Sequence, residues 1–242
     1  MSELDGRAAI VTGGSRGIGF AIAAALVARG SRVAITGRNQ THLDAAAKRL
    51  KETARGAGEV VTVSGDVGRA RDAAEAIEAT VRRFGALDIL INNAGIGAFN
   101  NVADMPVEEW DTLIQTNLSG VFYCSRAAIP HLRRRGGGWI INISSLAGKN
   151  AFPGGAAYCA SKAALNAFSE SLMQEVRYDN IRVNYIMPGS VATGFAGRGE
   201  SGEADWKISP DDVADLAVHL VTFPSRSLPS RIELRPSRPP KK

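Results

Sequence analysis

Cysteine is nearly absent: Cys124 and Cys159 are the only two in 242 residues. Two cysteines cannot build a disulfide framework, and these are not spaced as metal ligands, so both are expected as free thiols in a reducing compartment. Histidine is as sparse. His42, His131 and His219 are dispersed along the chain, and no metal is expected. No run approaches the ~18 apolar residues of a membrane span, and residues 1–6 are polar, without a signal-peptide core. The expectation is a cytoplasmic chain with no membrane partner. Disorder is excluded by a composition that is 45% hydrophobic and 22% charged. The formal net charge is +5 and the pI about 9.5. That basicity is local, because residues 226–242 hold six of the 29 Lys/Arg and only Glu233 of the 24 Asp/Glu. The rest is neutral and carries no nucleic-acid motif, so no nucleic-acid partner is expected.

What is present is alternation. Short apolar strand patterns at 7–12, 32–36, 60–64, 87–91, 139–143, 181–186 and 231–234 are separated by helical stretches. These run over 18–29, 41–55, 70–84, 107–134 (with an interruption), 157–177 and 210–223. Strands alternating with helices predict βαβ units, and strands apolar on both faces predict a sheet covered on both sides. The fold class is α/β: one doubly wound Rossmann domain, residues 1–235, with a mainly parallel seven-stranded sheet and helices on both faces. Residues 236–242 form a basic, proline-rich tail that is expected to fray. The run Arg133-Arg134-Arg135 before three glycines reads as a helix C-terminus, where cations suit the macrodipole and glycine ends the helix.

The loop Thr12-Gly13-Gly14-Ser15-Arg16-Gly17-Ile18-Gly19 lies between the first strand and the first helix. Gly13 permits a tight turn, Gly17 lets the backbone approach a pyrophosphate, and Gly19 allows close helix packing. Free N–H groups at the helix start suit an anion. A carboxylate ending the second strand would select NAD; this chain has Thr36-Gly37-Arg38-Asn39 there, with Arg16 as a second cation in the loop. Arginine at that place pairs with the 2′-phosphate, so NADP(H) is the preferred cofactor and NAD(H) the alternative.

Tyr158 and Lys162, four apart, share one face of a predicted helix. A phenol pKa near 10 is too high for easy proton exchange at neutral pH, and a neighbouring ammonium lowers it, so the pair suits general acid/base work. Ser144-Ser145 ends the fifth strand at the carboxyl edge, where open α/β sheets bind ligands.

In this order the motifs resemble the short-chain dehydrogenase/reductase family, of the 3-oxoacyl reductase-like kind. The resemblance runs from Arg7 to Leu234 and rests on Thr12-Gly13…Gly17-Ile18-Gly19, Asp66-Val67, Asn92-Asn93-Ala94-Gly95, Asn117, Ser145, Tyr158…Lys162 and Pro188-Gly189…Thr193. It implies an oxidoreductase that reduces a ketone, aldehyde or 3-oxoacyl thioester with NADPH. Tyr158 would be the general acid. Ser145, thirteen residues upstream and chosen over Ser144 on that spacing, would bind the carbonyl oxygen. Lys162 would lower the tyrosine pKa and hold the nicotinamide ribose, and Asn117 would kink the long helix and anchor a relay water. Gly13, Ser15, Arg16, Gly17, Ile18, Gly19 and Arg38 would hold the phosphates. Asp66 and Val67 would contact adenine, and Asn93, Ala94 and Gly95 would line the cofactor. Pro188, Gly189, Val191 and Thr193 would position the carboxamide. Alternatives are dehydrogenation of a sugar, pterin, steroid-like or hydroxy amino acid alcohol, or a silent cofactor sensor, against which the intact Ser145, Tyr158 and Lys162 speak. The resemblance also implies a homodimer or homotetramer.

Residues 194–207, where the family carries a substrate lid, are short here and offer only Phe195 and Trp206 as large apolar groups. Lys149 and Arg198 are the basic residues expected near the site, either as contacts for an acidic substrate or as solvated charges.

Overall fold

The computed structural model describes residues 3–195 and 205–240. Seven strands form one sheet in the order β3-β2-β1-β4-β5-β6-β7. They are β1 (Ala8–Thr12), β2 (Arg32–Gly37), β3 (Glu59–Ser64), β4 (Ile89–Asn92), β5 (Gly138–Ile143), β6 (Ile181–Pro188) and β7 (Arg231–Leu234). Every pairing is parallel. The helices are α1 (Gly17–Val27), α2 (Gln40–Thr53), α3 (Ala70–Phe84), α4 (Val107–Ile114), α5 (Gly120–Arg134), α6 (Ala156–Val176) and α7 (Pro210–Val221).

The two-residue strand period divides the core in two. Ala9, Val11, Ile89, Ile91 and Ile141 point to one face and pack with α1, α2 and α7. Their chain neighbours Ala8, Ile10, Leu90 and Ile140 point to the other and pack with α3, α5 and α6. Both faces are therefore dry, as a doubly wound sheet requires. The winding reverses between β1 and β4, which are adjacent in the sheet, and open α/β folds bind ligands at the carboxyl edge of such a reversal.

The interrupted helix expected over 107–134 is α4 and α5 joined through one π-helical turn, Gln115–Ser119, with Asn117 at its centre. The Arg133–Arg135 run does end α5, with Gly136 and Gly137 following at positive φ. Its arginines are also paired: Arg133 with Asp179 at 2.7 Å and Arg135 with the buried Asp88 at 2.8 Å. Burial pushes the Asp88 carboxyl up. The Ala8 amide, Arg135 and Arg7 outweigh it and hold the group below its usual range.

Cys124 and Cys159 are buried free thiols, and burial pushes Cys124 up to about 12. His131 meets Glu78 at 2.7 Å, and no metal-binding cluster occurs among the described residues. No helix among them is long and apolar enough to cross a membrane.

Candidate active site

The loops after β1, β4 and β6 meet at the sheet's carboxyl edge. Thr12 Oγ1 accepts the amides of Asn93 and Ala94 at 2.9 and 3.0 Å, and Asn93 Nδ2 donates to the carbonyls of Thr12 and Gly13. Gly13 has φ +63, and a Cβ there would lie 2.9 Å from Ala94 Cα. At Gly19 a Cβ would lie 2.4 Å from both Gly13 O and Asn93 Nδ2, so the close packing expected of this glycine is obligatory. Gly17, at φ +55, faces Thr193. Ile18 packs against the core.

Helix α1 begins without a cap. Its cap residue Arg16 makes no side-chain cap bond, and no acid stands in its first turn. Helix α7, by contrast, has a complete Ser209/Asp212 capping box. The first amides of α1 thus remain available to an anion. The amide of Gly14 donates to Thr36 O at 3.1 Å, and Ser15 Oγ lies close to Gly37, so the glycine loop adjoins the end of β2. Arg16 and Arg38 are both exposed, and neither pairs with any group among the described residues. Asp66 closes a turn by accepting the Gly68 amide at 2.9 Å, and Val67 packs on Gly120.

Tyr158 and Lys162 stand on one face of α6 over the end of β5. The ammonium lies 5.8 Å from the phenol ring centroid and donates to Ile143 O at 2.9 Å. Burial pulls Lys162 down to about 8. Burial also raises the Tyr158 phenol, against an opposing hydrogen bond from Ser145. Desolvation is thus the leading influence on the phenol, while the Lys162 ammonium donates to a backbone carbonyl.

The two serines divide their work. Ser144 is buried and committed to Asn166 Oδ1 at 2.6 Å, whereas Ser145 reaches Tyr158 and also caps the following turn through the Ala147 amide. Asn117 is fully buried. Its side chain accepts from Ile96 N at 2.8 Å and donates to Ile96 O at 2.9 Å and to Ser161 Oγ at 3.2 Å. It therefore ties the π-helical turn to the loop after β4. Lys162 Nζ and Asn117 Oδ1 both lie within 4 Å of where a Gly95 Cβ would stand.

Past β6, Val191 pairs with Ile208 in an isolated bridge, and the Thr193 amide donates to Val191 O. Pro188 ends β6, and the Gly189 amide donates to Leu234 O at 2.8 Å. Pro236, the first residue assigned to the tail, lies against Gly189, so the tail's first residue is packed rather than frayed. Lys149 is not a free cation: it is bound by Glu233 at 2.6 Å. Arg198 and most of the 194–207 segment lie outside the described residues, as do Lys241 and Lys242. Two residues that no motif marked, Phe99 and Phe152, join Phe195 around Tyr158. Single phenylalanines in separate loops carry no periodic or spacing signal.

Residues 7–204 match a family model described as short chain dehydrogenase. An uncharacterized oxidoreductase of Staphylococcus saprophyticus is 34% identical over 240 residues, covering 98% of this chain and all of the relative. Among solved structures, a metagenomic short-chain oxidoreductase in complex with NADP aligns with a TM-score of 0.85 at 37% identity, over 98% of this chain and 100% of that one. An alcohol dehydrogenase from the archaeon Thermococcus sibiricus, complexed with 5-hydroxy-NADP, aligns with a TM-score of 0.89 at 29% identity, over 98% and 99%.

Proposed function

Because the chain belongs to the short-chain dehydrogenase family of NAD(P)-dependent oxidoreductases, we propose that it reduces a carbonyl group (ketone, aldehyde or 3-oxoacyl thioester) with NADPH, using Tyr158 as general acid. The observation that supports this most is the grouping of Tyr158, Ser145 and Lys162 at the carboxyl edge of the sheet, beside the glycine loop.

The residues present fit a dinucleotide phosphate. The α1 N-terminus is uncapped, and Arg16 in the glycine loop and Arg38 after β2 are cations without a partner among the described residues. In this reading Arg16 and Arg38 hold the 2′-phosphate, and the amides from Gly13 to Gly19 hold the pyrophosphate. Asp66 and Val67 contact adenine, and Asn93, Ala94 and Gly95 line the cleft. Lys162 binds the ribose, and Pro188, Gly189, Val191 and Thr193 position the carboxamide. When bound, the nicotinamide supplies the hydride. Burial keeps the Tyr158 phenol protonated at neutral pH, the state a general acid needs. Its hydroxyl gives the proton to the substrate oxygen while Ser145 donates a hydrogen bond to the same oxygen. A protonated Lys162 then favours the phenolate left behind. Asn117 holds the Ile96 backbone that borders the site. A homodimer or homotetramer belongs to the same reading, supported by the exposed Val107, Trp110 and Phe122 on α4 and α5.

The test is oxidation of NADPH and NADH against a panel of ketones, aldehydes and acyl thioesters, with Tyr158→Phe alongside. Wild type should oxidise NADPH with a carbonyl in the panel. The variant should bind NADPH as wild type does and lose about 10²–10⁴-fold in turnover. A variant that keeps turnover, or a wild type that binds cofactor and converts no carbonyl or alcohol, overturns the reading.

A further inference from the structure

The substrate side of this site is walled with phenylalanine. Phe99 follows β4, Phe152 follows β5 and Phe195 follows β6, so three separate connections each bring one ring to the same place. Phe99 meets Tyr158 edge-on, with centroids 5.6 Å apart and planes at 66°. Phe152 leans on Phe99 at 5.9 Å, and Phe195 approaches Tyr158 at 5.8 Å. Only eight phenylalanines occur in the chain, and three of them meet here.

Glycines make the room. A Cβ at Gly97 would lie 2.7 Å from Phe195 Cε1, and one at Gly155 would lie 2.4 Å from Phe152 Cε2. Two of these rings stay open to solvent, Phe152 by 43% and Phe195 by 37%. Tyr158 itself packs on a buried apolar cluster of Ala98, Leu113 and Ala157. Among the described residues the cations nearby are occupied: Lys162 donates inward to Ile143 O, and Lys149 is held by Glu233.

An apolar wall whose polar tips are the paired Tyr158 and Ser145 hydroxyls recognises a ligand of matching pattern. A carboxylate or a thioester-linked polar arm placed on phenyl rings loses hydration and gains no partner among the described residues. An aromatic ring gains edge and offset contacts beyond simple area burial. Resting on the reductase reading above, we propose that the substrate is an uncharged carbonyl compound bearing an aryl group directly beside the carbonyl, with that ring seated among Phe99, Phe152 and Phe195.

The test compares kcat/KM with NADPH for an aryl methyl ketone, 2-butanone, a 2-oxo acid and an acetoacetyl thioester. Phe152→Ala is measured alongside, because the exposed ring can be removed without opening the core. The aryl ketone should lead the others by about tenfold or more, and Phe152→Ala should shrink its lead over 2-butanone by about tenfold. Calorimetric binding of the aryl ketone to Tyr158→Phe loaded with NADPH, where turnover is blocked, should weaken when Phe152→Ala is added. Preference for the 2-oxo acid or the thioester overturns the aryl assignment and leaves the reductase reading standing, as does an aryl lead that ignores Phe152. Cofactor binding without turnover of any carbonyl or alcohol overturns both.

Discussion

Lys162 Nζ donates to the carbonyl oxygen of Ile143 at 2.9 Å, which fixes the ammonium to the last residue of β5. Sheet geometry thereby sets where the amine sits under the Tyr158 ring, 5.8 Å from its centroid. One carbonyl does not compensate for burial, so the amine titrates near 8.

That low value has a sign in stability. Between pH 8 and pH 10.5 the unfolded chain keeps the Lys162 proton while the folded chain releases it, so raising pH through this window favours folding. Cys124 and Tyr185, both pushed up to about 12 with burial as the first cause, act in the opposite direction at higher pH. The Lys162 contribution is therefore read as a difference. In urea titrations without cofactor, wild-type stability minus that of Lys162→Met should rise from pH 8 to pH 10.5. A flat difference would show that the amine is not desolvated.

Asn117 is the residue whose loss should harm the fold most at this edge. Its amide satisfies both backbone groups of Ile96 and reaches Ser161 from inside a π-helical turn. Removing a partner from such groups costs about 1–3 kcal/mol each, reduced here because Ile96 is only half-buried. Asn117→Ala should lose about 2–3 kcal/mol in denaturant unfolding, with no cofactor present. A loss below about 0.5 kcal/mol would mean that the turn is held by its neighbours.

The fold was legible because each strand is a short apolar run and each break is a glycine or a polar cap. The expected strand 87–91 shifts to Ile89–Asn92 because Asp88 turns inward to accept the Ala8 amide. Ser145 is preferred to Ser144 by spacing, and the two differ in the structure: Ser144 is tied to Asn166, whereas Ser145 bonds to Tyr158. Lys149 was not legible as a paired residue, because Glu233 lies 84 positions away in the chain. The phenylalanine wall was invisible for the same reason, since its members meet only after the sheet brings three loops to one edge.

Arg16 and Arg38 should decide between the two nicotinamide cofactors. Neither has a competing acid among the described residues, so a phosphate would meet two unengaged guanidiniums. Hydrogen bonds to a charged group contribute about 1.5–3 kcal/mol each. Arg38→Ala should weaken NADPH by about tenfold or more and leave NADH within a factor of about two, measured by fluorescence titration. Equal loss for both cofactors would place Arg38 away from the 2′-phosphate.

The C-terminal end gives the last prediction, and its outcome depends on a single residue. Leu234 O accepts the Gly189 amide, and Pro236 Cδ stands 2.9 Å from where a Gly189 Cβ would be. Glu233 holds Lys149 at 2.6 Å and Arg235 at 2.7 Å, which ties β7 to the loop that carries Ser145. Pro236 is half-buried, whereas 237–240 are exposed. Truncation after Pro236 should lower the pI and leave the NADPH Kd unchanged. Truncation after Arg235 uncovers Gly189, a residue assigned to the carboxamide. Part of a proline ring buries apolar surface worth on the order of 1 kcal/mol, so NADPH should bind about fivefold more weakly. If both truncations bind alike, Pro236 is only the start of the tail, and the Gly189 loop is held by its bond to Leu234 alone.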